Sequence, residues 1–204
     1  MKLVVGTFVT ADGVMQAPGG PEEDPESGFS LGGWSVNYWD DKMGAYMDAW
    51  IKQLDALLLG RRTYEIFAGH WPKITDPADP VAEAFNRVPK HVASRTLEHA
   101  DWKNSTVIKD VPSAVREIKK QPGAELQVHG SGNLIQTLLK HDLVDEFRIW
   151  TFPLIVGPGK RLFEDGAIPA ALKLIGTMTS STGVVINHYE RAGKVETGSF
   201  ALAE

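Results

Sequence analysis

The residues best suited to chemistry in this 204-residue chain are glycines and polar side chains that directly follow short apolar runs. Gly130, Ser131, Gly132 and Asn133 follow the alternating segment 126–129 and precede a leucine-rich helical repeat. A glycine turn at a helix N-terminus exposes backbone N–H groups, which bind anions such as a nucleotide phosphate. The same spacing also occurs in ordinary strand-to-helix turns, so the motif alone leaves both interpretations open.

Polar residues follow three other apolar runs in the same way. They are Thr10-Ala11-Asp12, Gly60-Arg61-Arg62-Thr63 and Ser94-Arg95-Thr96. In a parallel sheet the carboxyl ends of the strands meet at one edge, where ligands bind. A guanidinium pairs with two phosphate oxygens at once, so the arginines predict a further phosphate and a dinucleotide of the NADP type. Each arginine alone is as typical of a solvated surface, and the argument depends on the convergence of the four segments.

The elements that would position these residues alternate between strand and helix. Residues 3–9 and 56–59 indicate buried strands, and 40–54 a helix with an apolar stripe that Asp40 or Asp41 can cap. Asp79-Pro80 indicates a helix start, Ser113 a cap, and residues 172–178 and 184–191 a hairpin. Shorter strands are expected at 90–94, 106–109, 126–129 and 147–151. The pattern predicts an α/β fold whose central sheet is mostly parallel, with helices on both faces and a C-terminal antiparallel hairpin.

Composition narrows the classes of function. A net charge of −5 without a long basic run argues against nucleic acid as the main partner, and no apolar stretch is long enough to span a membrane. The absence of cysteine excludes disulfides and thiolate metal sites, and the histidine spacing does not predict a metal site either. We expect a cytoplasmic protein with a single domain over 1–191 and a C-terminal tail over 192–204.

Residues 11–37 form a long segment rich in glycine and proline. Loops of this length within a domain are usually functional or disordered. Phe29, Leu31 and Trp34 give the segment apolar side chains to bury. We therefore expect it to fold over a site, with a mobile surface insertion as the alternative.

Taken together, these segments resemble the dihydrofolate reductase superfold, in the branch that contains the reductase domain of bacterial riboflavin biosynthesis. The resemblance spans nearly the whole chain, in family order. It is carried by Thr10-Ala11-Asp12-Gly13, Leu58-Leu59-Gly60-Arg61-Arg62-Thr63-Tyr64, Val92-Ala93-Ser94-Arg95-Thr96-Leu97, Val128-His129-Gly130-Ser131-Gly132, Leu143-Val144-Asp145-Glu146 and residues 153–163.

The resemblance implies a three-layer dihydrofolate reductase-like fold with NADPH lying across the strand ends. Gly60, Arg61 and Thr63 would bind at the adenosine-phosphate side, and Ser94 and Arg95 near the 2′-phosphate. The pyrophosphate would lie on the glycine turn, and the nicotinamide beside residues at two further strand ends. The residues implied at the pyrophosphate are Gly130, Ser131, Gly132 and Asn133. Those implied at the nicotinamide are Val9, Thr10 and 155–157, including Ile155 and Gly157.

Two departures from the family pattern affect the expected chemistry. The deaminase half of the bifunctional riboflavin enzyme needs cysteine ligands, so deamination is excluded. Counting back from Gly60 places Gly44 where folate reductases carry a substrate-binding carboxylate. We expect Asp12 to contact substrate instead, although a turn-forming role suits it equally well. Further candidates for the substrate pocket are Asp41, Asp48, Phe67 and Trp71.

The leading hypothesis is an NADPH-dependent reductase acting on a small heterocyclic or ribosylated substrate, resembling 5-amino-6-(5-phosphoribosylamino)uracil reductase. The alternatives are a reductase on this fold with an unrelated substrate, and a nucleotide-binding sensor without turnover. His129 is interpreted either as a hydrogen-bonded strand residue or as a catalyst. The resemblance also implies a homodimer.

Overall fold

The computed structural model describes residues 1–76, 78–164 and 167–201, which contain one eight-stranded sheet and five α-helices. Three short 3₁₀ turns lie at Glu26–Gly28, Val36–Tyr38 and Trp71–Lys73. The strands are β1 (Lys2–Thr10), β2 (Leu54–Gly60), β3 (Lys90–Ala93), β4 (Ser105–Ile108), β5 (Glu125–His129), β6 (Glu146–Phe152), β7 (Leu172–Thr179) and β8 (Val185–Arg191). The helices are α1 (Asp41–Ile51), α2 (Arg61–His70), α3 (Pro80–Arg87), α4 (Val111–Lys119) and α5 (Gly132–Lys140).

The sheet runs in the order β4-β3-β2-β5-β1-β6-β8-β7. Strands β1 to β6 pair in parallel, whereas β8 pairs antiparallel to both β6 and β7. The predicted fold class is therefore confirmed, including the C-terminal hairpin. Because β1, β2, β3 and β5 run in the same direction, their carboxyl ends meet at one edge of the sheet.

Alternating side chains place a core on each face of the sheet. On one face Leu58 and Leu126 pack with the apolar stripes of α4 and α5. On the other face Leu57 and Leu59 pack with α1, α2 and α3. A second cluster on that face, around Trp150 and Phe152, holds the first turn of α1 through Met43. These layers fix the strand ends on which the site is built.

Local signals located the helix starts, with one exception. Asp40 caps α1 by accepting from the Met43 N–H, and Asp79 caps α3. The prediction that Ser113 caps α4 is wrong, because Asp110 accepts from the Ser113 N–H and the helix begins two residues earlier, at Val111. The first helix is also shorter than predicted, because Leu54 belongs to β2.

In the described part of the chain, every helix is too short or too polar to cross a membrane. Within the same ranges, no three acidic or histidine side chains are grouped closely enough to hold a metal ion.

Candidate functional site

A cleft of about 1780 Å³ lies at the carboxyl ends of β1, β2, β3 and β5. It brings together most of the residues expected at a cofactor, from the ends of β2, β3 and β5. The expected residues that line it are Gly60, Arg61, Thr63, Ser94, Arg95, Gly130, Ser131, Gly132 and Asn133.

Two helix N-termini meet in one part of this cleft. Gly130 and Ser131 adopt left-handed backbone conformations, with φ of +59° and +66°, and turn the chain from β5 into α5. The Ser131 hydroxyl accepts from the Gly60 N–H at 3.0 Å and bonds the Thr63 hydroxyl at 2.9 Å. The start of α5 is thereby joined to the start of α2. The first N–H groups of both helices have no partner within the helix, so the junction is electropositive.

Basic side chains border the same junction. Arg61 donates to the Thr96 hydroxyl at 2.8 Å and pairs with Glu65 at 2.7 Å. Arg95 is exposed and forms no ion pair with any other described residue. Lys109 holds the backbone beneath it by donating to the Arg95 carbonyl at 3.1 Å. The Arg95 guanidinium is therefore available to a phosphate.

Aromatic side chains line the other part of the cleft. The centroid of the His129 ring lies 4.7 Å from the ring centroid of Trp50, 5.1 Å from that of Phe85 and 6.5 Å from that of Phe67. Trp71 packs edge-on against Phe67 with their centroids 6.0 Å apart. This part, which we call the aromatic half, is shaped for a flat apolar or heteroaromatic ring.

A buried polar network lies beneath the aromatic half. Glu125 accepts from the Trp50 indole N–H at 2.9 Å and from Arg148 at 2.8 Å. Gln127 donates to Glu125 at 2.8 Å and, through its carbonyl oxygen, bonds His129 Nε2 at 3.0 Å. His129 Nε2 is therefore the donor, and Nδ1 is left as an acceptor. Burial, reinforced by the positive charge of Arg148, lowers the pKa of His129 to about 3.

Close packing against Gly6 of β1 holds this network in place. A Cβ atom at Gly6 would lie 1.8 Å from the Cη2 atom of Trp50, so only glycine leaves room for the indole against this strand. The indole N–H donates to Glu125, and Trp50 also lines the cleft.

The segment 15–26 forms a wall of the cleft, as the sequence predicts for a loop over a site. Asp24 pairs with Arg62 of α2 and with Lys160, both at 2.7 Å, and Glu26 pairs with Lys160 at 2.6 Å. Burial opposes ionisation of Asp24, but the hydrogen bond from Lys160 and the charges of Lys160 and Arg62 outweigh it and lower its pKa. This set of ion pairs, the loop clasp, fixes the segment onto α2.

Phe67 and Trp71 line the cleft as expected, but the three aspartates do not. Asp12 accepts from the Thr10 hydroxyl at 2.5 Å and from the Gly157 N–H at 2.9 Å. The hydrogen bond from Thr10 is the main cause that lowers the pKa of Asp12. Its carboxylate therefore fastens the turn at 153–163 to β1, the turn-forming role that the sequence left open. Asp41 and Asp48 lie on α1 outside the cleft lining.

Four residues expected beside the nicotinamide also lie outside the cleft lining. Val9 and Thr10 are buried in the sheet, at 6% and 1% exposure. Ile155 is 79% exposed, and Gly157 is held by Asp12. The strand β1 presents Gly6, Thr7 and Phe8 to the cleft instead, because Val9 faces the opposite core.

Sequence reasoning missed the polar network and the loop clasp. The alternation of Glu125, Gln127 and His129 with apolar residues is typical of a strand with one solvated face, yet α1 and α3 cover that face. The one sequence signal that could have revealed the network is the presence of three polar residues, Glu125, Gln127 and His129, on the five-residue strand β5. The loop clasp joins residues 38 and 136 positions apart, which no local pattern reveals.

A model of the RibD C-terminal domain family matches residues 1–186. The chain belongs to the RibD C-terminal domain family. YyaP of Bacillus subtilis (strain 168) is 30% identical over 191 residues, covering 90% of this chain and 92% of YyaP. The family match thus includes β1 to β7 and ends within β8, at residue 186.

Two solved structures share the fold. One is the diaminohydroxyphosphoribosylaminopyrimidine deaminase/5-amino-6-(5-phosphoribosylamino)uracil reductase of Thermotoga maritima, with a TM-score of 0.61 and 14% identity, over 94% of this chain and 56% of that one. The other is dihydrofolate reductase of Enterococcus faecalis complexed with NADP(H), with a TM-score of 0.57 and 12% identity, over 93% of this chain and 96% of that one. The chain, a member of the RibD C-terminal domain family, thus has a dihydrofolate reductase-like fold.

Proposed function

We propose that the protein is an NADPH-dependent reductase that transfers hydride to a small heterocycle, free or ribosylated. The observation that carries this proposal is a single cleft with two chemically distinct parts. One part joins two helix N-termini to an available arginine, and the other is an aromatic enclosure. A dinucleotide and a flat acceptor ring require these two environments side by side.

The residues present fit the phosphates of NADPH. Backbone N–H groups at the starts of α2 and α5 suit the pyrophosphate, because both helix dipoles favour an anion there. Gly132 lets the loop pack closely on the start of α5, since a Cβ atom at this position would lie 3.2 Å from the Met15 sulfur. Arg95 and Ser94 suit the 2′-phosphate, and Arg61 is placed beside them by its bond to Thr96.

A bound nicotinamide supplies the hydride, and the protein supplies orientation and a dry enclosure. Trp50, Phe67 and Trp71 would hold a flat ring against β1 and exclude water from it. The neutral His129 offers Nδ1 as an acceptor to a ring N–H of the substrate. The charge of Arg148 stays paired with Glu125 beneath the enclosure, so it does not compete for the substrate.

The aromatic half supports a heterocyclic ring as the substrate, without favouring one metabolic pathway. The cations that line the cleft border the helix junction, the loop clasp or the 153–163 turn. The ring-binding walls are instead built from aromatic and histidine side chains. The Thermotoga enzyme is named for reduction of a uracil derivative, which is a ring of this class.

The first test is fluorescence titration of NADPH and NADH against the wild type and Arg95→Ala. Loss of a charge-assisted bond to phosphate costs about 1.5–3 kcal/mol, so we expect NADPH binding to weaken by about 10- to 150-fold and NADH binding to change little. Arg116→Ala is the matched control, because Arg116 is also exposed but lies on α4 outside the cleft lining. If neither nucleotide binds the wild type, the proposed function is rejected.

A further inference from the structure

The cleft contains more carboxyl groups than the expected aspartates. All lie on its rim or in the loop wall, and most are engaged in visible structural roles. The lining carboxyl groups are those of Glu22, Glu23, Asp24, Glu26, Asp79, Asp110 and Glu164. A reduction that adds hydride to a C=N or C=O bond also needs a proton, and one of these groups is suited to provide it.

Structural roles remove most of these groups from consideration. Asp24 and Glu26 are ion-paired in the loop clasp. Asp79 and Asp110 cap α3 and α4. Glu22 and Glu164 are exposed to solvent and gain no enclosure from the cleft. A general acid works best where its protonated form is favoured, and an ion-paired or fully solvated carboxylate is not in that condition.

Glu23 differs from the others in its surroundings. It is partly buried in the wall of the cleft, and one of its oxygens accepts from the Gly19 and Gly20 N–H groups at 2.5 and 3.2 Å. Among the described residues it forms no ion pair. These bonds fix one oxygen to the loop backbone and leave the other to carry a proton.

Burial raises the pKa of the Glu23 carboxyl above its ordinary value, against the effect of the two backbone N–H bonds. The charged groups that act on it are Asp24, which raises the pKa further, and His70 at the end of α2, which lowers it. Asp24 is itself largely neutralised by Arg62 and Lys160. Glu23 lines the same cleft as Trp71 of the aromatic half and as His70, which packs against Trp71 with ring centroids 4.9 Å apart.

We propose that Glu23, carried by the loop over the aromatic half, is the proton donor for the substrate. This inference rests on the proposed function. A bound nicotinamide would supply the hydride for the new C–H bond, and the electron pair of the C=N bond would move onto nitrogen. That nitrogen takes the proton from Glu23, and the resulting carboxylate is reprotonated by water. The loop thus supplies a carboxyl group to a cleft that α1 lines only with Met47 and Trp50.

The test compares wild type, Glu23→Gln, Glu23→Asp and Glu117→Gln. The probes are 7,8-dihydrobiopterin and 7,8-dihydrofolate, two flat rings with a reducible C=N bond. NADPH affinity is measured first, then NADPH oxidation from pH 5 to 8. The glutamine keeps an acceptor for Gly19 and Gly20, so the loop should hold and NADPH affinity should stay within about threefold. Glu117 is exposed on α4, away from the cleft, and controls for the loss of one carboxylate.

We expect Glu23→Gln to slow NADPH oxidation by about 100-fold or more, as for loss of a general acid. The wild-type rate should fall as pH rises through the pKa of Glu23, because only the protonated form donates. That decline should disappear in Glu23→Gln and be partly retained in Glu23→Asp. A Glu23→Gln enzyme with wild-type rate and pH profile would overturn this inference and leave the proposed function standing. Absence of NADPH oxidation by the wild type with both probes would overturn this inference, whereas absence of NADPH binding would overturn the proposed function as well.

Discussion

His129 illustrates how burial sets the state of a single side chain in the cleft. Its Nε2–H is committed to Gln127, and its ring lies among Trp50, Phe67 and Phe85. Protonation would place a second positive charge near Arg148 in a poorly solvated position, which explains the pKa of about 3. The residue is thus a hydrogen-bonded strand histidine that also presents a neutral acceptor to the cleft.

This state has a consequence for acid stability. Below pH 6.5 the unfolded chain binds a proton at His129, whereas the folded chain does not until the pH approaches 3. The free energy of unfolding should therefore fall as pH drops through this window, by up to about 1.4 kcal/mol per pH unit from this group. Urea unfolding between pH 4.5 and 6.5 should show a shallower decline in His129→Gln than in wild type.

Glutamine is chosen because its amide N–H can still bond Gln127. The same substitution at the exposed His99 controls for removal of an imidazole as such. Carboxylates with lowered pKa values, such as Asp12 and Glu146, add their own acid sensitivity to both proteins, so the comparison uses the difference between slopes. Parallel slopes for wild type and His129→Gln would contradict this account.

At this scale the sequence predicts the residues whose role depends on backbone position. Gly60, Gly130 and Ser131 reach the cleft because a strand end and a helix start determine where they lie. Side chains whose role depends on distant partners are not predicted. Asp12 follows a strand like the others, but its carboxylate turns to the backbone of Val156 and Gly157, 144 and 145 residues away.

The loop is the element on which the site most depends, because it has little regular structure of its own. Two 3₁₀ turns and an isolated bridge between Val14 and Arg161 are its regular features among the described residues. The loop clasp ties it to α2 and to Lys160. Contacts within the loop add to its order, because the Gln16 amide donates to the Asp24 and Glu26 carbonyls and the Trp34 indole donates to the Gln16 carbonyl. Sequence predicted the existence of this loop over the site but not the ion pairs that hold it.

We predict that Asp24→Asn loosens the loop without unfolding the sheet. The asparagine keeps the size of the side chain but loses the charge that pairs with Arg62 and Lys160. Because both partners are partly exposed, we expect a cost of about 1–2 kcal/mol, or a roughly 5- to 30-fold increase in loop opening. Limited proteolysis and amide exchange over residues 15–28 measure this directly.

The pH dependence of the loop gives an independent check. Asp24 has a lowered pKa, so its stabilising effect is present at neutral pH and is lost as pH falls through that folded value. The protection factors of the wild-type loop, which correct for the intrinsic pH dependence of amide exchange, should therefore fall in acid towards those of Asp24→Asn. Glu83→Gln, which breaks an exposed pair on α3, should leave the loop unchanged. A loop that is equally protected in Asp24→Asn would show that the apolar contacts of Phe29 and Trp34 suffice.

For the whole molecule, the alternation of apolar and polar segments predicted the layers and the direction of most strands. It could not give the strand order, because β5 inserts between β1 and β2 by pairing residues far apart along the chain, 123 positions for Lys2 and Glu125 and 71 positions for Leu54 and Glu125. Nor could it show that the polar side of β5 is covered. The strand order creates the cleft, because it places the carboxyl ends of β5 and β2 next to each other.

The edge of the sheet leads to the last prediction. Strand β7 is outermost, and the described chain leaves its outer backbone groups without a neighbouring strand. Leu174 and Ile175 of this strand are 49% and 43% exposed. Exposed apolar side chains on an open edge favour pairing with another strand, and two identical edges can pair about a two-fold axis. We therefore propose a homodimer that pairs through β7.

Sedimentation equilibrium should give a wild-type mass of twice the 22.3 kDa chain. Lysines at both Leu174 and Ile175 would place charges on the shared edge, so the double variant should sediment as a folded monomer. A lysine at Val195, which is also exposed but lies outside the sheet, is the matched control and should remain dimeric. A wild-type monomer would reject the homodimer, whereas a double variant that remains dimeric would place the interface on another surface. In either case the cleft opens at the strand ends and not at the β7 edge, so nucleotide binding should be unaffected by these substitutions.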